Sequence, residues 1–326
     1  MKFAIGLLLL ISVGLVGATA LALIFGGPSR PPTLEGINAP FRALDNSDLP
    51  ALSTYQARDG TPLAFRRYAS SADTSHGSVV LLHGSAADSR SMHPLAQAFA
   101  SAGYTTYALD IRGHGASGTN GDIAYVGQLE DDLEDFMQTI EPVAPCTLVG
   151  FSSGGGFALR VAGGQRQQLF SNYLLLSPFI SQEASTYRAD SGGWTRVGLP
   201  RYIAIMLLNR LGIDAFNHLP VVRYAVDESA DLTPAYSYDL AQNYRPKADY
   251  RAALRATNHP MRVLVGEDDQ IFRAGQFATV FQNAGSDVAI DQLPDIDHIG
   301  LILDPDAIDA AVAAIQALNG QRVTDR

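Results

Sequence analysis

Gly150-Phe151-Ser152-Ser153-Gly154 is the stretch on which the reading of this chain turns. It is a G-x-S-x-G pentapeptide between two elements of different kind. Before it runs Cys146-Thr147-Leu148-Val149, short and apolar, which predicts a buried strand. After it runs Gly155-Gly156-Phe157-Ala158-Leu159-Arg160-Val161-Ala162, which predicts a helix. A strand turning abruptly into a helix at a serine is a nucleophile elbow. Glycine at 150 and 154 lets the two backbones approach without a Cβ clash. Ser152 then projects from the turn at the positive end of the helix.

A nucleophilic serine attacking a carbonyl needs donors for the oxygen that becomes negative, and backbone N–H groups are the usual ones. The amide after the nucleophile, Ser153, is one candidate. The other follows the apolar run Ser78-Val79-Val80-Leu81-Leu82, suited to a central parallel strand and ending in His83-Gly84-Ser85. The Ser85 amide is the second candidate, and His83 reads as a turn histidine satisfying nearby backbone.

A serine hydroxyl also needs a general base, here a histidine held in one tautomer by a carboxylate. Seven histidines are available. With this elbow the chain order is serine, acid, histidine, which leaves His218, His259 and His298. The predicted strand Met261-Arg262-Val263-Leu264-Val265-Gly266 ends in Glu267-Asp268-Asp269, where an acid belongs, and only His298 lies beyond it. Spacing does not separate Asp268 from Asp269, and Glu267 is a weaker rival.

Further motifs extend the pattern: Leu82-His83-Gly84-Ser85, Asp110-x-Arg112-Gly113-His114-Gly115-x-Ser117, Leu176-Ser177-Pro178-Phe179, Gly266-Glu267-Asp268-Asp269 and Asp297-His298. With the elbow, they make the chain resemble the α/β-hydrolase superfamily over roughly residues 60 to 318. More narrowly, it resembles the serine aminopeptidase-like and monoglyceride lipase-like (lysophospholipase-like) branch. The resemblance implies Asp269 as the acid and a structural role for the Asp110–Ser117 loop and His114. One departure is Phe151, where many lipase-like members carry histidine. This weakens transfer of a monoglyceride substrate but not of the elbow chemistry.

Of 326 residues 47% are apolar and 17% charged, enough for a sizeable core. A net charge of −10 argues against nucleic-acid binding. The single cysteine, Cys146, permits no internal disulfide and reads as a packed thiol. Strands near 51–57, 62–69, 78–83, 105–110, 146–150, 173–177, 262–266 and 288–293 alternate with helices near 92–102, 124–140, 154–163, 273–284 and 306–318. Such alternation predicts an α/β fold, a mostly parallel sheet with helices on both faces. Residues 51–320 form the expected hydrolase domain, with a helical cap inserted at about 180–258. Within the cap, 197–208 is strongly apolar and reads equally as acyl-pocket lining or plain packing, with bilayer contact a third option. Tyrosines 224, 236, 238, 244 and 250 are candidate pocket walls or ordinary packing residues. The run Glu130-Asp131-Asp132-Leu133-Glu134-Asp135 reads as the wet face of a helix.

Residues 1–27 stand apart. Phe3 to Phe25 carries no charge, and as a helix it is about 34 Å long, enough to span a bilayer core. It predicts a single-pass membrane anchor, or alternatively a signal peptide cleaved at Ala18-Thr19-Ala20 or Ala20-Leu21-Ala22. Lys2 and the α-amino group favour a cytoplasmic N-terminus, with the domain periplasmic or extracellular. Arg30 and Arg42 behind the span weaken that bias. Residues 28–50 read as a proline-containing linker.

The expected function is a serine hydrolase of carboxylic esters with apolar acyl chains, acting through Ser152, His298 and Asp269 by way of an acyl-enzyme, with no metal or organic cofactor. One alternative is a peptidase, which needs an anion for a free amino terminus; Glu183, Asp190, Asp227 and Glu228 are the cap candidates. The other is a non-catalytic binding module of the same fold. Oligomeric state is not readable.

Overall fold

The uncharged runs pair side by side, because a strand covered on both faces has no use for alternating polarity. The computed structural model describes residues 2–188, 193–227 and 232–324, with the backbone alone for 2, 4–9, 11 and 321–324. Its strands are β1 (Leu52–Gln56), β2 (Pro62–Tyr68), β3 (Ser78–Leu82), β4 (Thr105–Leu109), β5 (Cys146–Phe151), β6 (Asn172–Leu176), β7 (Thr195–Val197), β8 (Pro220–Tyr224), β9 (Ala235–Ser237), β10 (Met261–Gly266) and β11 (Ala289–Leu293). Eight of them form one sheet in the order β1-β2-β4-β3-β5-β6-β10-β11. β2 is antiparallel to β1 and β4, and every other pair is parallel. Every residue of β3, β4, β5 and β6 is buried. Cys146 lies in that core, where burial pushes its thiol up to about 12.

The helices are α1 (Lys2–Phe25), α2 (Glu35–Arg42), α3 (His93–Ser101), α4 (Gln128–Ile140), α5 (Ser153–Ala162), α6 (Leu199–Arg210), α7 (Tyr238–Asn243), α8 (Tyr250–Ala256), α9 (Phe277–Asn283), α10 (Gly300–Leu303) and α11 (Pro305–Thr324). Strand register brings the functional ends level: Leu82 pairs with Gly150, Phe151 with Leu176, and Gly266 with Leu293. The loops after β3, β5, β10 and β11 therefore leave the sheet at one edge, where open α/β sheets place their ligands.

The insertion between β6 and β10 is not the helical cap expected from sequence. β7, β8 and β9 form a separate three-stranded antiparallel sheet, and only then do α7 and α8 follow. Strands of three to five residues are too short to leave a clear period-two signal.

α1 is a helix, but among the described residues no helix is long and apolar enough to cross a membrane, so the expected span is not supported. The C-terminal end of α1 packs on the cap instead. Leu23 joins Ala204, Ile205 and Val221 in a small second core. Arg201 donates to the carbonyls of Leu23 (2.8 Å) and Ile24 (3.0 Å), capping the helix end. Of the apolar stretch 197–208, Ala204 and Ile205 are buried in this packing, whereas Val197, Leu199, Ile203 and Leu207 are exposed.

The acidic run of α4 also departs from expectation. Glu130, Asp132 and Asp135 are buried. Asp132 takes two bonds from Arg112 (2.7 and 2.8 Å), Glu130 one from Arg160 (2.5 Å), and Asp135 pairs with Arg58 (2.8 Å). The partners lie up to 77 residues away, which is why a local reading sees only a charged face. Removing one member of a buried pair strands the other without compensation. Arg112→Ala should lower the unfolding free energy by about 3–5 kcal/mol, read from denaturant midpoints; a change below about 0.5 kcal/mol would contradict this account.

Candidate active site

Ser152 sits between β5 and α5 at φ 54° and ψ −115°, a conformation costing a non-glycine residue on the order of 1–3 kcal/mol. The flanking elements bury Val149, Phe157 and Leu159 completely, each contributing about 1.5–3 kcal/mol, so packing outweighs the strain. The glycines are needed sterically: a Cβ on Gly150 would collide with the Gly154 carbonyl, and one on Gly154 with the carbonyls of Leu82 and His83.

His298, in the loop after β11, brings Nε2 to 3.1 Å from Ser152 Oγ and Nδ1 to 2.7 Å from Asp269 Oδ2. Both His298 and Asp269 are buried. Of the three acids after β10, the one that meets the imidazole is Asp269; Glu267 and Asp268 are exposed. The other oxygen of Asp269 accepts from the amides of Ile271 and Phe272, both at 2.8 Å. Burial pushes the Asp269 carboxyl up, but the charge and hydrogen bond of His298 and the Phe272 amide outweigh it, leaving the group below its usual range. It is an anion aimed at Nδ1–H, which leaves Nε2 free to face the serine.

Ser153 follows Ser152 in the chain, and Ser85 lines the same cavity as Ser152. Gly84 is packed against it, such that a Cβ there would lie 3.5 Å from the Ser152 Cβ. Among the described residues neither the Ser85 nor the Ser153 amide donates to a protein acceptor. His83 accepts the Ile111 amide through Nε2 (3.2 Å) and contacts the Gly84 carbonyl through Nδ1 (2.8 Å), the turn role expected of it. Asp110 accepts from the amides of Ser89 and Ala116, each at 2.9 Å, so its motif braces the loop beside the site. Of the three histidines that chain order leaves, the one placed against Ser152 is His298.

Ser152 and His298 open onto a cavity of ≈ 600 Å³. Its walls are largely apolar: Ile37, Phe41, Leu44, Trp194, Val226 and Ile299. Three of these come from the stretch expected to be a plain linker. α2 is fastened to the cap there: Asn38 donates to the Ala225 carbonyl (2.8 Å) and accepts the Asp227 amide (3.0 Å). Its signal in the sequence is the apolar pair Ile37 and Phe41, four apart, too brief to stand out. The cap tyrosines 224, 236, 238, 244 and 250 do not line the cavity. Phe151, the departure from the lipase-like pattern, lies against the His298 ring with centroids 4.8 Å apart, and Phe272 covers it from another side at 5.4 Å. Of the candidate anions, Asp227 borders the cavity but is engaged by Arg42 (3.4 Å). Glu183 is exposed, and Asp190 and Glu228 lie outside the described residues.

The chain is 35% identical over 111 residues to a monoacylglycerol lipase of Mycolicibacterium smegmatis (strain ATCC 700084 / mc(2)155), covering 32% of this chain and 39% of that relative. It is 27% identical over 212 residues to a thermostable monoacylglycerol lipase of Bacillus sp. (strain H-257), covering 64% and 76%. Among solved structures, a bacterial membrane phospholipase A superposes with a TM-score of 0.57 at 17% identity, over 98% of this chain and 99% of that one; at this identity the likeness concerns the fold. The profile of the serine aminopeptidase S33 family matches residues 73–306, most of the chain, and the protein belongs to that family of α/β-hydrolases.

Proposed function

We propose that this protein is a serine hydrolase of carboxylic esters with lipid-like acyl chains. One observation carries the reading: a serine hydroxyl 3.1 Å from an imidazole that is itself 2.7 Å from a buried carboxylate, at the floor of an apolar cavity. Ser152 Oγ attacks the ester carbonyl while His298 Nε2 takes its proton. The Ser85 and Ser153 amides hold the oxyanion. The intermediate collapses, the alcohol leaves with the proton from His298, and water attacks the acyl-enzyme by the same route in reverse. Asp269 keeps Nδ1–H oriented and stabilises the imidazolium. The monoacylglycerol lipases among the relatives support an ester of glycerol with one long acyl chain as the substrate class. Both carboxylates at the described wall of the cavity are paired with arginines, Asp227 with Arg42 and Asp88 with Arg90, so an amine terminus finds no unengaged anion there.

Ser152→Ala should reduce turnover of p-nitrophenyl esters by about 10⁴-fold or more while the protein stays folded. Asp269→Asn should cost a comparable factor and Asp268→Asn little; a larger loss for Asp268→Asn would overturn the choice of acid. Ile37→Trp narrows the α2 wall, so the chain-length optimum of kcat/KM across a series of acyl esters should move to shorter chains; an unmoved optimum would remove α2 from the pocket.

We further infer, from the uncharged stretch Phe3 to Phe25, that α1 attaches the domain to a membrane, with the catalytic part on the periplasmic or extracellular side, or that α1 is removed and the domain secreted. The full chain should stay with membranes through alkaline carbonate washing. Release with α1 intact would refute attachment, and release with α1 missing would establish secretion.

A further inference from the structure

Three hydrogen bonds from the cap converge on the loop after β3. The Trp194 indole donates to Ser85 Oγ (3.1 Å). The Thr233 amide donates to the Ala86 carbonyl (3.0 Å). The Ala86 amide donates to the hydroxyl of Tyr236, on β9, at 2.7 Å. Ala86 itself has φ 65°, in the left-handed region where a residue with a Cβ is strained. The loop therefore does not hold its shape by local preference, and the cap supplies what holds it.

Tyr236 has three polar neighbours at its hydroxyl: the Ala86 amide, His114 Nε2 and the hydroxyl of Tyr224. Its hydroxyl accepts from Ala86, so its own proton is free to be given. His114 Nε2 lies 2.6 Å away. His114 Nδ1 faces the carbonyls of Ile111 (3.2 Å) and Arg112 (3.4 Å), which only accept. The ring proton is therefore on Nδ1, Nε2 is bare, and Tyr236 donates to it. Both side chains are buried. Burial, reinforced by the neighbouring His83, holds the His114 imidazole well below its usual range, so it stays neutral and keeps this tautomer.

We propose that Tyr236, oriented by His114, is a positioning residue that fixes the oxyanion loop and so sets the Ser85 amide for the tetrahedral intermediate. The inference rests on the reading of Ser85 as an oxyanion donor. The peptide unit that carries the Ala86 amide is joined through the Ser85 Cα to the unit that carries the Ser85 amide, so holding the first restricts the second. With the Ala86 amide unanchored, a strained loop relaxes, and a donor displaced by about 1 Å loses about a hundredfold in rate. The cap is then part of the catalytic frame as well as a cover over the cavity.

Tyr236→Phe keeps the ring and removes only the hydroxyl. It should lower kcat for an ester about ten- to a hundredfold with KM within about twofold, because the contact acts on the transition state. Affinity for an alkyl boronic acid, which becomes tetrahedral on the serine, should fall by a similar factor. His114→Leu should do the same, and the double variant should lose no more than either alone. Full kcat in a Tyr236→Phe protein that melts like the wild type, a loss confined to KM, or additive losses would each overturn the proposal. A wild-type measurement covers the case of unfolded variants: ring ¹⁵N shifts should show His114 neutral and bare at Nε2 from mildly acid to mildly alkaline pH, and a protonated Nε2 would overturn it. Ser152→Ala in the same assay separates the two levels. If it is active, the hydrolase reading fails; if it is dead while Tyr236→Phe is fully active, the positioning role alone fails.

Discussion

The backbone turn at residue 152 is the constraint from which the rest follows. A serine that must stand clear of a strand end, with a helix starting at the next residue, takes a conformation that its own side chain disfavours. Nothing local relieves this. It is held by β5 below and α5 behind, both closely packed, and by glycines that permit the approach. Once the turn exists, the hydroxyl, the following amide and the helix terminus all point to the same place. The imidazole of His298 needs only to be delivered there, which the level ends of β10 and β11 achieve.

That delivery is enforced from several sides. Asp269 holds one ring nitrogen and is itself fixed by two amides. Phe151 and Phe272 restrict the ring laterally. The residue that breaks the lipase-like pattern thus has a physical role: an aromatic face in contact with the base. The carboxylate stays ionised despite burial because its partners outweigh the cost of desolvation.

What could be read in advance follows the range of the forces involved. The β3, β5 and β10 strands were legible because a doubly covered strand writes itself as a continuous apolar run. The elbow was legible because its steric demand falls within five residues. His298 emerged from chain order, and choosing Asp269 over Asp268 needed family resemblance, since two adjacent carboxylates differ only in which way the backbone turns them. The buried acids of α4 were misread because their cations are distant in sequence. The cap sheet was missed because its strands are short, and the role of Tyr236 because it depends on a loop about 150 residues earlier. The apolar character of α6 is legible in sequence, but which of its residues are covered depends on where α1 comes to rest.

The segment between α1 and β1 has a practical consequence. Ile37 and Phe41 contribute to the chamber next to the nucleophile, and Asn38 ties them to the backbone after β8. Trimming the protein to its sheet-bearing region, a natural step towards a well-behaved sample, would cut away one side of the compartment that receives the acyl chain. Selectivity measured on such a fragment would belong to a more open vessel than the one the full polypeptide builds.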